Sequence, residues 1–265
     1  MATYLLDQSW KQESERLQQL EQWTDPVTIS HLAQIGVGPG WKCLEVGAGG
    51  GSIARHLATT VGATGRVLAI DLNTALFDAD ASAVLEVRRL DFMTEELPTG
   101  FDFVHARLVV GHQADRVDAL RRLSLALRPG GVLLVEENDI VWSELRVWPV
   151  HNDPVMAELV GRVWKALIQI MKQGGYDGHC GRSLPAEMLA AGLTEVQGEA
   201  RSRINYSGGG ISGLTSARFR DPLVAAGAVT SEEMDHYLER CFSGEILMSS
   251  PLQVSVRGTR AMPPT

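Results

Sequence analysis

The sequence predicts an α/β protein with a doubly wound sheet, and three features carry that expectation. From Trp41 onward, apolar strand-like runs alternate with stretches of helical periodicity. The first such strand turns into its helix through a glycine-rich loop, Gly47 to Gly51. A later run, Val132 to Glu136, is almost continuously apolar, as a strand covered on both faces should be. Alternation of this kind favours parallel strands joined by helical crossovers.

Taken in order, residues 8 to 23 set Trp10, Leu17 and Leu20 on one side among polar residues, which predicts an amphipathic helix. Asp25 is placed to cap a second helix with Pro26 in its first turn, and Gly36 with Gly38-Pro39-Gly40 ends it. Lys42 to Val46 then reads as a strand, and Ile53, Ala54, Leu57, Ala58 and Val61 form a helical stripe. Arg66 to Asp71 and Val84 to Leu90 are the next strands, separated by a short helix. Phe101 to Val110 is a fourth, followed by a helix from Ala114 to Leu127 that Pro129-Gly130-Gly131 stops.

The second half is less regular. Asp153 to Met171 and Pro185 to Ala191 read as helices, Thr194 to Asn205 and Gln253 to Thr259 as strands. Gly208-Gly209-Gly210 and helices around Pro222 to Ala226 and Ser231 to Phe242 lie between those strands. The expected organisation is a helical preface over 1–40 and one domain over 41–265, with cap insertions at about 140–185 and 206–245. Trp142, Trp148, Trp164, Phe219, Tyr237 and Phe242 in those insertions could line an apolar acceptor, although aromatic residues at helical spacing also build cores.

Composition narrows the function classes. The 265 residues carry a formal charge of −8, so the long-range field opposes nucleic acid and anionic membrane surfaces. Cys43, Cys180 and Cys241 show no C-x-x-C spacing, which argues against a disulfide framework or a zinc site and for a reducing compartment. No apolar run approaches the length of a membrane span and no signal-type segment opens the chain, so a cytoplasmic protein without metal is expected.

The loop LEVGAGGGS at 44–52 is where a ligand must approach backbone closely. A strict G-x-G-x-x-G pattern begun at Gly47 fails at Ser52, whereas Gly49, Gly51 and Ala54 satisfy the relaxed nicotinamide form. Charge separates the two classes of ligand. Glu45, two residues before Gly47, would repel a pyrophosphate but suits the sulfonium and ammonium of S-adenosylmethionine. A cap partner is the alternative role for Glu45. Asp71 ends the second strand, twenty residues after Gly51, where a carboxylate can accept from both hydroxyls of a ribose. Asp91 ends the third strand and could accept from an adenine amino group with Phe92 packed on the ring; a turn-capping Asp is the other reading.

These three acids, together with HARLVVGH at 105–112 and LRPGGVLLVEEND at 127–139, resemble class I S-adenosylmethionine-dependent methyltransferases, and within them the bacterial enzymes that tailor natural products. The resemblance implies a doubly wound, seven-stranded Rossmann-like sheet with N-terminal helices, its last strand, near Gln253 to Thr259, antiparallel between its neighbours. It also implies that Glu45, Gly47, Ala48 and Gly49 line the methionine end of the cofactor, Asp71 and Leu72 the ribose, and Asp91 and Phe92 the adenine. Tyr4 and Trp10 could fold over the cofactor, with core packing the other role for Trp10.

A guanidinium inside a sheet strand needs a partner, so Arg107 should meet either the cofactor carboxylate or an internal acid. Methyl transfer from a sulfonium is an in-line displacement and asks mainly for alignment and exclusion of water. If the acceptor is a hydroxyl or amine, His112 is the expected general base, with Glu137 and Asp139 in reserve and His105 and His179 ranked lower. The function expected is methyl transfer to a small molecule. A cyclase that retains the cofactor without transferring methyl is the alternative, followed by a nicotinamide-dependent oxidoreductase.

Overall fold

The computed structural model describes residues 13–77, 83–141, 153–206 and 211–263. Tyr4, Trp10, Trp142, Trp148 and the Gly208-Gly209-Gly210 run lie outside the described residues. Two compact units divide the chain. One comprises 21–137, 182–199 and 254–265, the other 1–20, 138–181 and 200–253.

The first described element is a single helix, α1 (Glu13–Ile35), in place of the two expected. Asp25 does not cap a new helix because its carboxylate is engaged elsewhere, by Ser52 Oγ at 3.1 Å and Arg107 Nη2 at 2.9 Å. Pro26 is therefore accommodated inside the helix, on its exposed side, while Val27, Thr28, His31 and Leu32 are buried.

β1 (Lys42–Val46) leads through the glycine loop into α2 (Ser52–Val61), whose Ile53, Ala54, Leu57 and Val61 are buried as their spacing predicts. Each large apolar side chain buried in this way contributes roughly 1.5–3 kcal/mol. β2 (Arg66–Asp71) and β3 (Leu85–Arg89) follow, separated by a 3-10 turn at Thr74–Leu76. β4 (Phe101–Arg107) stops three residues short of the expected end, because Leu108 turns into the left-handed region at φ 58°. α3 (Arg116–Ala126) is capped by Asp115.

β5 (Leu127–Asp139) starts before Pro129-Gly130-Gly131 instead of after it. Leu127 pairs with Phe101 and Val132 with Phe103, so residues 128–131 form a bulge. Gly131 belongs there because a Cβ would lie 2.9 Å from the Phe101 carbonyl oxygen. α4 (Pro154–Gln173), α5 (Cys180–Ala190) and β6 (Leu193–Arg201) come next. β7 (Ile204–Tyr206) and β8 (Leu247–Ser249) form a separate two-stranded sheet, so the expected strand Thr194 to Asn205 is two strands in two sheets. Between them lie α6 (Ile211–Arg218), α7 (Arg220–Ala225) and α8 (Ser231–Phe242), and β9 (Leu252–Arg260) is last.

The main sheet has seven strands in the order β3-β2-β1-β4-β5-β9-β6, with β1 to β5 paired in parallel. β9 runs antiparallel to both neighbours. Ser255 meets Glu136 and Arg260 meets Leu127 on one side, while Thr194 meets Thr259 and Gln197 meets Arg257 on the other. The core beneath one face joins Leu32 of α1 and Ile53, Ala54, Leu57 and Val61 of α2 to Cys43, Val67, Phe103 and Leu134 of the strands. In the other unit, Met156, Leu159, Val160, Val163 and Leu167 of α4 pack with Phe219, Leu223, Met234 and Tyr237. Phe219 and Tyr237 are thus core residues and Trp164 packs beside them, while Phe242 is exposed.

Candidate cofactor site and a buried charge ladder

Strands of a sheet present alternate residues to one face, and here that face changes character along its length. Cys43 is followed by Glu45 on β1, Phe103 by His105 and Arg107 on β4, and Leu134 by Glu136 on β5. The apolar members lie toward the N-terminal ends and the charged members toward the C-terminal ends, where ligands bind in open α/β sheets.

The charged members form a ladder. Glu45 and His105 are register partners, and His105 Nδ1 lies 2.7 Å from Glu45 Oε2, with Nε2 3.4 Å from Glu136 Oε2. All three are buried. Although burial alone would expel the proton, the two carboxylates hold the His105 imidazole protonated, with a pKa raised to about 9. His105 in turn keeps the Glu136 carboxyl well below its ordinary value against the opposing cost of burial. Glu136 also accepts from Ser255 Oγ at 2.7 Å and from the Thr28 hydroxyl. Thr28 accepts from Arg107 Nη1 at 2.9 Å, and Arg107 ends on Asp25.

Two sequence expectations meet this ladder. Of the partners considered for Arg107, the structure supplies the internal acid, Asp25. Glu45 does not stand free beside the loop, because its carboxylate turns to His105 and is only 4% exposed. From sequence alone His105 ranks below His112, and Glu136, Thr28 and Ser255 carry no role. The usable signal was the i, i+2 placement of Phe103, His105 and Arg107 on a central strand, since charges on one buried face must neutralise one another.

Beside the ladder, the glycine loop is tied to β2: Gly47 and Ala48 donate to the Ile70 carbonyl at 2.9 and 3.1 Å. Gly47 has φ 69°, and a Cβ there would lie 2.2 Å from Val109 Cγ2, so backbone geometry and space both demand glycine. Asp71 sits at the loop's edge, half-buried, accepting from Gly49 N at 2.9 Å and Asn73 N at 3.0 Å. Leu72 beside it is 53% exposed. Past the end of β3, Asp91 accepts from Met93 N at 2.9 Å, forming a turn, and Phe92 is buried.

After β4, the left-handed Leu108 folds the chain so that its amide donates to the Glu136 carbonyl at 2.8 Å. The following 3-10 turn, Val110–His112, ends on half-buried His112. Glu137, fully buried, accepts from Gly111 N at 3.0 Å and holds this turn. Burial raises the Glu137 carboxyl to about 7, against the opposing pull of the amides of residues 109–111. It therefore titrates near neutral pH, on the amide of the residue before His112.

These residues fit a cationic nucleoside. Among the described residues, Asp71 and Asp91 accept backbone N–H groups but make no ion pair, so two strand-end carboxylates remain uncompensated by cations. Exposed Leu72 offers apolar surface next to one of them.

Residues 44–133 match the family model described as "Methyltransferase domain". The chain is 33% identical over 144 residues to the ubiquinone/menaquinone biosynthesis C-methyltransferase UbiE of Laribacter hongkongensis, a match covering 49% of this chain and 58% of that protein. The same-named protein of Chromobacterium violaceum is 32% identical over 142 residues, with 49% and 57% covered. The chain thus spans a little over half the length of these relatives. Among solved structures, the YcgJ protein of Bacillus subtilis superposes with a TM-score of 0.55 at 16% identity, covering 88% of this chain and 97% of that one. The [4+2]-cyclase SpnF gives 0.53 at 16% identity, covering 91% and 83%. Residues 44–133 are thus similar to a methyltransferase domain, and the solved structures share the fold of this chain.

Proposed function

We propose that the protein transfers the methyl group of S-adenosylmethionine to a small-molecule acceptor, at oxygen, nitrogen or carbon. The observation that carries this reading is the pair of strand-end carboxylates, Asp71 and Asp91, which lack counter-cations among the described residues beside a left-handed glycine loop. In this reading Gly47, Ala48 and Gly49 line the methionine end, with Glu45 holding the loop's base from within. Each oxygen of Asp71 accepts one backbone N–H and keeps acceptor capacity for the ribose hydroxyls, with Leu72 against the sugar. Asp91 and Phe92 take the adenine. Arg107 acts at one remove, through Asp25 and Ser52 at the start of α2.

When bound, S-adenosylmethionine supplies an electrophilic methyl on a sulfonium. His112 takes the proton of a hydroxyl or amine acceptor, and Glu137 fixes the turn that carries it. The relatives named for ubiquinone/menaquinone biosynthesis make quinone precursors the first acceptors to try, with natural-product scaffolds second. A cofactor-retaining cyclase is the second reading, favoured by the fold shared with SpnF.

Thermal melts test the cofactor class. S-adenosylhomocysteine at a hundred times its dissociation constant stabilises a fold by about 2.7 kcal/mol, a shift of roughly 5–10 °C in a chain of this size. NAD and NADP should give none, and the reverse pattern would end the methyltransferase reading. Transfer of labelled methyl into an acceptor separates a transferase from a cyclase.

A further inference from the structure

We infer that Glu21, on α1, is the carboxylate that receives the α-ammonium of the cofactor. This rests on the reading of the glycine loop as a S-adenosylmethionine site and assigns the group that recognises its amino-acid end. Glu45, the acid nearest the loop in sequence, is already neutralised by His105 at 2.7 Å and turned into the sheet. A second acid is needed, and α1 delivers one.

Glu21, Asp25 and Thr28 stand at i, i+4 and i+7 on α1 and so share one face of it. Asp25 and Thr28 meet Arg107 and Ser52. Glu21, one turn earlier, lays its carboxylate on the loop itself. A Cβ on Gly50 would lie 2.6 Å from Glu21 Oε1 and 3.2 Å from Oε2, so the loop has glycine where the carboxylate rests.

The neighbouring cations, Arg107 and Arg55, attract Glu21 but are shared with other partners. Arg107 is paired with Asp25, while Arg55 donates to the Gly50 carbonyl at 2.6 Å and lies over the Phe77 ring. Among the described residues Glu21 makes no ion pair. Its support is the backbone N–H of Ser52, at the start of α2, where no side chain of the loop caps the helix. Burial and the nearby charge of Asp25 push the Glu21 carboxyl above its ordinary value, against the opposing pull of the Ser52 amide and of Arg107 and Arg55. A primary ammonium at the loop meets this carboxyl in a charge-assisted hydrogen bond.

A simple helix cap would look similar, so the test separates charge from capping. Glu21→Gln keeps an oxygen for the Ser52 amide and loses only the charge. Calorimetric titration compares S-adenosylhomocysteine with 5′-methylthioadenosine, which keeps the nucleoside but has no amino-acid moiety. The expected result is at least about tenfold weaker binding of S-adenosylhomocysteine by the variant, as loss of a charged hydrogen bond implies, with 5′-methylthioadenosine changed less than about twofold. Gly50→Ala, which displaces the carboxylate and retains its charge, should give the same split if the Gln variant folds poorly. Equal affinity of wild type and variants for S-adenosylhomocysteine, or a parallel loss for both ligands, overturns the assignment. Wild-type protein that binds neither ligand removes the underlying site reading as well.

Discussion

Replacing His105 with Gln should destabilise the protein severely and remove one pH dependence from its stability. The wild-type imidazole is held protonated to about pH 9, against an ordinary value of 6.5. That difference corresponds to about 3 kcal/mol, at about 1.4 kcal/mol for each pH unit. Because the folded pKa is raised, the contribution is complete below pH 6.5 and erodes as the pH climbs to 9. The depressed Glu136 reports the same pair from the other side, so the two shifts are not added. In the Gln variant Glu45 and Glu136 lose their shared cation while remaining buried, a loss typically near 3–5 kcal/mol. Urea unfolding of both proteins from pH 6 to 10 measures the effect. The gap between the curves should shrink by as much as about 3 kcal/mol across that range. If the variant cannot be folded, Glu45→Gln/His105→Gln should recover part of the loss in a double-mutant cycle. A variant within about 0.5 kcal/mol of wild type, or a gap that stays constant with pH, would refute a protonated histidine bridging the two acids.

Glu137 offers the opposite sign. Its folded pKa of about 7 exceeds the ordinary 4.5, so wild type should lose stability between those values relative to Glu137→Gln, by up to about 3 kcal/mol. Urea titration of both proteins at pH 5 and 8 checks it, and a difference that is the same at both pH values would mean the carboxyl is not held neutral. Asp71→Ala and His112→Ala should separate binding from chemistry. The first should weaken S-adenosylhomocysteine by about tenfold or more through lost ribose bonds, and the second should leave affinity unchanged while slowing methyl transfer to a hydroxyl or amine acceptor. Calorimetry and single-turnover transfer read the two effects, and unchanged affinity in Asp71→Ala would make the ribose assignment wrong.

Much of the fold was legible because it rests on periodicity and turn chemistry. The stripe of α2, the strands from Lys42 to Arg107 and the bodies of α3 and α4 lie where spacing and residue type put them. The misjudged boundaries involved contacts made far along the chain. Asp25 looks like a helix cap until Arg107, more than eighty residues away, takes its carboxylate. Pro129-Gly130-Gly131 looks like a break until the pairing with Phe101 and Phe103 absorbs it as a bulge.

The site divides in the same way. A strand, a loop of left-handed glycines and acids at successive strand ends are local properties, so the sequence alone determined the type of sheet and the position of the glycine loop and of the strand-end acids. It could not assign the state of any one acid. Glu45 and Glu21 are equally carboxylates in the chain, yet packing turns the first onto a buried imidazolium and lays the second on the loop, where among the described residues it makes no ion pair. The energy of a charge depends on what surrounds it in three dimensions, and only the tertiary structure brings β1, β4, β5 and α1 together to decide which charges are cancelled.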